Sequence, residues 1–408
     1  MIKNNNNEIL ISIKDLSFKY AKKQNQHNLE IQDLEIPKDQ IISLLGPSGS
    51  GKTTLLNLIL GYLKPSSGTI SIKNNPKIHE IAYIMQEGSI YENVSVFNNV
   101  FLSAKNYSKW VDLTRLHFLK SLVKEYQNLE KHHKIISNFN DYQIAIEQNK
   151  KWDKEIKYFK LILSLLFNKE IKNKITFLKA IRLKSLFRKE FLKIAKKLDI
   201  DQFIDKNVNQ LSGGQKQRVS LAKAIIKKTN LVLMDEPFSA LDAKIKESTI
   251  EWLIKIKKDF NLSIILVTHD QQDALKISDQ IILLNDGKIQ QFSDSKTMYN
   301  NPNNLFVAKF IGSPEINFIE TKNDRSYYIR HNNLKVKANK SAEYTILDKK
   351  SFGDRTSYVV EFAKNNNWTF VLNNNNLNIN DKVSITYDQK DVLCFDQLER
   401  RVYEKEVS

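Results

Sequence analysis

The chain has 408 residues, enough for two domains that each bury a core. No apolar run reaches membrane-spanning length, the longest candidate being 161–167, and the polar start Met1-Ile2-Lys3-Asn4 carries no secretory apolar segment. The single cysteine, Cys394, excludes an internal disulfide and fits a reducing cytoplasm. The net charge of +17 suits a nucleic-acid or anionic-membrane partner, and equally a chain enriched throughout in solvated Lys, Asn and Ile.

Residues 9–45 read as strands. Ile9, Ile11 and Ile13 alternate with polar residues, and a segment ending in Tyr20 follows. An aromatic here fits either adenine stacking or the core. The apolar run Ile41-Ile42-Ser43-Leu44-Leu45 leads into Gly46-Pro47-Ser48-Gly49-Ser50-Gly51-Lys52-Thr53, and a helical pattern leaves it from Thr54. Strand, G-x-x-x-x-G-K-[ST] and helix in succession form a phosphate-binding loop. Glycines let backbone N–H groups converge on an anion, and the helix adds its positive end. Lys52 can bridge phosphates and the Thr53 hydroxyl can hold Mg²⁺.

After a turn at residues 64–68, Thr69–Lys73 and Ile81–Met85 read as strands, the second ending at Gln86. Residues 89–212 contain neither Gly nor Pro, which predicts helices with few sharp turns. Within them, 105–190 carries 20 Lys/Arg and 9 Asp/Glu, a net of +11. Trp110, Phe118, Leu119, Leu122 and Val123, and then Ile156, Phe159, Leu161, Leu163 and Leu166, recur at roughly helical spacing. We expect a helical insertion with apolar inner faces and basic outer ones.

Ser212-Gly213-Gly214-Gln215 precedes a helical pattern and forms a second anion-binding turn. It cannot reach the same phosphate from the same side as Lys52, which suggests a site closed by two chains. The buried-type run Leu231–Met234 ends in Asp235-Glu236, and Ser263–Val267 ends in Thr268-His269-Asp270. Acids at the end of such a strand suit Mg²⁺ (Asp235) and an attacking water (Glu236), with His269 on the same ligand-binding edge.

Together these motifs resemble the nucleotide-binding subunit of an ATP-binding-cassette (ABC) transporter. Residues 46–53 are similar to Walker A, Gln86 to the Q-loop glutamine, 211–215 to the LSGGQ signature and 231–236 to Walker B with its catalytic glutamate. Residues 239–242 are similar to the D-loop, His269 to the switch histidine and Tyr20 to the adenine-stacking aromatic. The resemblance implies an α/β P-loop domain over 9–290 holding the basic insertion at 105–190, a linker at 291–314, and a small OB-like β-barrel domain over 315–408. It implies an ATPase binding two ATP, with Mg²⁺, between paired ATPase subunits, identical or paralogous. Mg²⁺ is organised by Thr53, Gln86 and Asp235, and Glu236, His269 and Gln86 serve catalysis. The implied partners are membrane permease subunits and, indirectly, a solute-binding protein, at the cytoplasmic face of the membrane.

Segments 286–291, 298–302 and 306–318 are similar to the carbohydrate and glycerol-3-phosphate importer branch, so a sugar or sugar-phosphate cargo is expected. The polyamine-importer branch shares the catalytic motifs but usually lacks the Ser-Pro before Asn317-Phe318. Three features depart from the family pattern: a short 68–86 segment, the insertion, and a missing Arg-Pro-Glu element after residue 315. A soluble ABC ATPase acting on nucleic acid or ribosomes fits less well, because the chain has one cassette and a barrel-like tail.

Overall fold

The computed structural model describes residues 8–20, 29–85, 90–124, 133–168, 171, 173–239, 241–373 and 377–403. The chain divides into two compact units, 1–71 with 266–408, and 72–265.

The first unit opens with strands β1 (Ile9–Phe18), β2 (Leu29–Pro37) and β3 (Ile41–Leu45), helix α1 (Lys52–Leu60) and strand β4 (Ser67–Ile72). β1 and β2 pair antiparallel, and their alternating residues Ile11, Ile13, Leu16 and Phe18 turn inward. All five residues of β3 are buried, which fits the continuous apolar run of a strand covered on both faces.

The second unit holds β5 (Ala82–Ile84), α2 (Val96–Lys105), α3 (Ser108–Lys124), α4 (His133–Glu147), α5 (Lys151–Leu166), α6 (Lys174–Ala180), α7 (Leu183–Lys197), α8 (Gly213–Ile225), β6 (Leu231–Asp235) and α9 (Ala243–Asp259). β5 pairs parallel with β6, and β7 (Ser263–Val267) follows α9 in the chain. The insertion is helical, as its freedom from Gly and Pro predicts. Its core joins Leu119, Val123, Phe139, Tyr142, Leu161 and Leu165. Lys154 and Asp112 form a buried ion pair, and Arg115 grips Glu155 while its guanidinium lies 4.2 Å from the Tyr158 ring centroid. At the root, Trp110 is buried against Phe187 and donates its indole N–H to Glu190 at 3.0 Å.

One expectation for the insertion is corrected. Its outer surface is not simply basic, and Ile156, Phe159 and Leu163 are exposed whereas Leu161 and Leu165 are buried. α5 has apolar residues on two faces, so spacing alone could not say which one packs.

The first unit resumes with α10 (Gln271–Ile277), β8 (Gln280–Asn285), β9 (Lys288–Ser293), α11 (Ser295–Asn300) and α12 (Leu305–Phe310). Its strands lie in the order β4-β1-β2-β9-β8-β3, with β3 and β8 parallel. An antiparallel β region follows: β10 (Asn317–Lys322), β11 (Arg325–Ile329), β12 (Lys335–Ala338), β13 (Tyr344–Phe352), β14 (Arg355–Ala363), β15 (Asn366–Asn373), β16 (Lys382–Thr386), β17 (Val392–Phe395) and β18 (Arg401–Val402). It forms a four-stranded sheet, β10-β11-β17-β18, and a five-stranded sheet, β12-β16-β13-β14-β15. Its core gathers Ile346, Tyr358, Val360, Trp368, Phe370 and Val383, and the Trp368 indole N–H donates to the Phe318 carbonyl at 2.6 Å.

Arg330, at the end of β11, is 2% exposed. Its guanidinium donates to the carbonyls of Ala308 (2.8 Å), Ile311 and Tyr299 (3.0 Å) and lies 4.3 Å from the Tyr299 ring centroid. These bonds tie α11 and α12 to the β region.

Candidate functional site

The first unit carries the loop of residues 46–53. β3 ends at Leu45 and Gly46 turns the chain with φ +151°. A Cβ there would lie 2.1 Å from the Leu284 carbonyl oxygen, so this turn requires glycine. Gly49 (φ +81°) and Gly51 (φ +101°) complete a left-handed loop whose backbone can face an anion. α1 begins at Lys52, with no side chain capping it and no acid in its first turn. The positive end of its dipole is therefore not offset by a side chain there. Lys52 is buried and arches back over the loop, donating Nζ–H to the carbonyls of Gly46 (2.9 Å) and Pro47 (2.8 Å). The buried hydroxyl of Ser50 has no hydrogen-bond partner among the described residues. A buried orphan hydroxyl inside a glycine cradle fits an anionic ligand that supplies acceptors.

Tyr20 is exposed, packs edge-on against Phe18 and shares a 2.9 Å hydrogen bond between its hydroxyl and that of Thr54. It therefore stands beside the start of α1 and outside the core. The Thr268 N–H donates to the Leu44 carbonyl, which brings the residue before His269 alongside the strand that feeds the loop. Asp270 caps α10 by accepting from the N–H groups of Gln272 (2.8 Å) and Asp273 (3.2 Å). His269 is thus exposed between a strand end and a capped helix start.

The second unit carries the remaining motif residues. Asp235 closes β6, and the Tyr83 hydroxyl donates to its carboxylate at 3.5 Å. Glu236 is half-buried and adopts φ +45°, an unfavourable backbone for a residue with a side chain. Its carbonyl accepts from the Ser239 N–H and hydroxyl, so the turn holds the strain in place. Ser212 and Gln215 form a reciprocal capping box on α8, with bonds of 3.4 and 3.0 Å. Gly214 is buried, and a Cβ on Gly213 would lie 2.9 Å from the Leu241 side chain. Gln86 and Ala240 lie outside the described residues.

Each unit carries one hard-oxygen donor that the motifs tie to Mg²⁺, the exposed Thr53 hydroxyl in the first and the Asp235 carboxylate in the second. Both offer hard oxygen, the chemistry of a cation that keeps waters and phosphate oxygens in its shell. Among the described residues no cluster of three His, Cys, Asp or Glu side chains could hold a metal ion.

A feature the motifs did not reveal lies in the second unit. A cleft of about 490 Å³ is lined by residues of β5, α2, α8 and the segments flanking them, among them Tyr83, Tyr91, Asn99, Tyr107, Lys223 and Lys227. Burial lowers the pKa of both lysines, and the charge of Lys227 lowers that of Lys223 further. The Lys223 ammonium lies 5.6 Å from the Tyr91 ring centroid. The (i, i+4) lysine pair was readable in the sequence, but its desolvation was not.

The ABC transporter family profile matches residues 29–239, about half the chain and most of the motifs above. This chain belongs to the ABC transporter family. It is 32% identical over 330 residues to the spermidine/putrescine import ATP-binding protein PotA of Aster yellows witches'-broom phytoplasma, covering 75% of this chain and 74% of that one. To PotA of Mesoplasma florum it is 26% identical over 390 residues, covering 88% and 90%. To the sn-glycerol-3-phosphate import ATP-binding protein UgpC of Roseobacter denitrificans it is 31% identical over 300 residues, covering 72% and 63%. The chain is therefore the ATPase subunit of an ABC importer, with the ABC ATPase fold followed by additional β sheets. Among its described residues no helix is long and apolar enough to cross a membrane.

Proposed function

We propose that this ABC subunit hydrolyses ATP at the cytoplasmic face of the membrane to drive import of a polyamine of the spermidine or putrescine type. The observation that carries the cargo class is the run of polyamine-import names among relatives that match three quarters or more of this chain. The sequence-based expectation of a sugar cargo gives way to it in our reading. Sugar-phosphate import stays as a second reading, favoured by the 312–318 segment and the UgpC relative.

In this reading two ATPase subunits, identical or paralogous, enclose ATP. The loop 46–54 of one faces Ser212–Gln215 of the other, Tyr20 stacks on the adenine, and the capped α8 directs its positive end at the phosphates. Lys52 exchanges its two carbonyl bonds for β- and γ-phosphate oxygens. Glu236, held on its strained turn, orients the attacking water, and His269 and Gln86 report the γ-phosphate. Thr53, Gln86 and Asp235 would hold Mg²⁺, which neutralises developing phosphate charge. The desolvated lysines of the cleft suit a permease segment bearing a carboxylate or presenting a helix C-terminus.

The test begins with a mild-detergent pull-down of the Glu236→Gln protein with ATP. The recovered complex is then reconstituted with its solute-binding protein, and ATP hydrolysis by the native subunit is measured with spermidine, putrescine or glycerol-3-phosphate. Stimulation by a polyamine supports the reading, and stimulation by glycerol-3-phosphate alone replaces it with the second. Recovery of ribosomal proteins or nucleic acid in place of a permease overturns both. Lys223→Glu is expected to weaken permease recovery without lowering basal hydrolysis.

A further inference from the structure

The exposed face of α5 is unusual for a soluble surface. Trp152, Ile156, Phe159, Leu163 and Phe167 follow one another at intervals of four, three, four and four residues, one continuous stripe of about 22 Å along the helix and its cap. All five are exposed, Trp152 at 82%, Phe159 at 62% and Phe167 at 79%. The opposite face buries Leu161, Ile162 and Leu165 in the insertion core, so the stripe is not needed for folding. Exposed apolar runs of this extent mark contact surfaces.

The electrostatic setting narrows the partner. The insertion carries a net charge of +11, most of the excess of the whole chain. The two acids of α5 are both engaged by cations, Asp153 by Lys157 at 3.2 Å and Glu155 by Arg115 at 2.9 Å. Lys160 lies at the edge of the stripe. α6 repeats the composition, with Ile175 and Leu178 exposed beside Lys174 and Lys179. Aromatic and aliphatic side chains on one face, with basic residues around them, are the features of a helix that lies in the interface of an anionic bilayer. The insertion also grows from the rim of the cleft described above, since Tyr107 lines that cleft and α3 starts at the next residue.

We propose that the α5 stripe is a membrane-surface anchor that inserts Trp152, Phe159 and Phe167 among the headgroups of an anionic leaflet, with the exposed Lys160 of α5 and Lys174 and Lys179 of α6 supplying attraction. The anchor would hold the ATPase at the bilayer independently of the permease. Its placement next to the membrane rests on the cleft being the permease-docking site.

The structure supplies its own probe. The other three tryptophans, Trp110, Trp252 and Trp368, are buried, so a fluorescence change on lipid binding reports Trp152. The purified full chain is mixed with vesicles of phosphatidylcholine, with or without phosphatidylglycerol. We expect a blue shift and co-sedimentation with the anionic vesicles only, and quenching by brominated lipid. Phe159→Ser with Phe167→Ser should lower partitioning by about tenfold or more while basal ATP hydrolysis is retained. Lys160→Gln or Lys174→Gln should lower it by about fivefold each. Absence of the blue shift, or unchanged partitioning of the double serine variant, overturns the anchor. So does loss of permease recovery in that variant when the native chain ignores vesicles, an outcome that makes the stripe a protein contact. Failure of the importer reading would show separately, as no permease recovered with the native chain.

Discussion

Replacing Arg330 by Met tests whether one buried cation fastens the C-terminal β region to helices α11 and α12. The change strands the buried carbonyls of Ala308 and Ile311 and the part-buried carbonyl of Tyr299. Each costs about 1–3 kcal/mol without a donor. Loss of the stack on Tyr299 adds about 1 kcal/mol. Against this, Met removes a desolvated cation, whose burial pushes its pKa down to about 10, and relief of that desolvation returns several kcal/mol. The balance is a net loss of about 3 kcal/mol. Urea unfolding followed by Trp368 fluorescence measures it in chains whose other three tryptophans are replaced by Phe, because Trp368 is buried in the β region and bonded to Phe318. Limited proteolysis at the 311–316 junction should accelerate in parallel. Tyr299→Phe is the control, since it removes only the exposed hydroxyl bond to Asn332 and should change stability by well under about 1 kcal/mol. An Arg330→Met protein within about 0.5 kcal/mol of native stability would refute the assignment of these three bonds as the tie.

Glu236→Gln is expected to lower turnover by about 10²–10⁴-fold while ATP binding persists, as measured by single-turnover hydrolysis and nucleotide retention. Gly46→Ala should abolish ATP binding and lower the melting temperature, since its Cβ would meet the Leu284 carbonyl at 2.1 Å; normal ATP affinity would contradict the loop geometry. In the insertion, Lys154→Met leaves Asp112 buried without its cation and should destabilise by about 3–5 kcal/mol, whereas Lys154→Met with Asp112→Leu should recover most of that loss. Asp294 caps α11, and hydrogen bonds from the Thr297 hydroxyl and N–H hold its carboxyl below the usual carboxylate range. Its stabilisation is therefore present above the unfolded pKa of about 4 and lost as pH falls through the folded value. Asp294→Ala should cost about 1 kcal/mol near neutral pH and progressively less below about pH 4 in denaturant titrations.

The local geometry of the phosphate loop was legible from residues alone, because it depends on local requirements. A phosphate loop needs a strand, glycines that tolerate φ +81° to +151°, and a helix start, all within about fifteen contiguous residues. Gly46 and Lys52 satisfy such short-range rules, whereas the sequence of 212–215 marks only an anion-binding turn and its capping box emerges only from the structure. The helical character of 105–190 was likewise written in its lack of Gly and Pro. Tertiary structure decided which of two apolar faces of α5 is buried, since Leu161 and Phe159 are equally apolar and only packing against Leu119 and Phe139 tells them apart. It also decided the strained turn at Glu236, the desolvation of Lys223 and Lys227, and the grip of Arg330 on carbonyls 19 to 31 residues away. Burial and long-range hydrogen bonding belong to the assembled chain, where residues distant in sequence exclude water from one another.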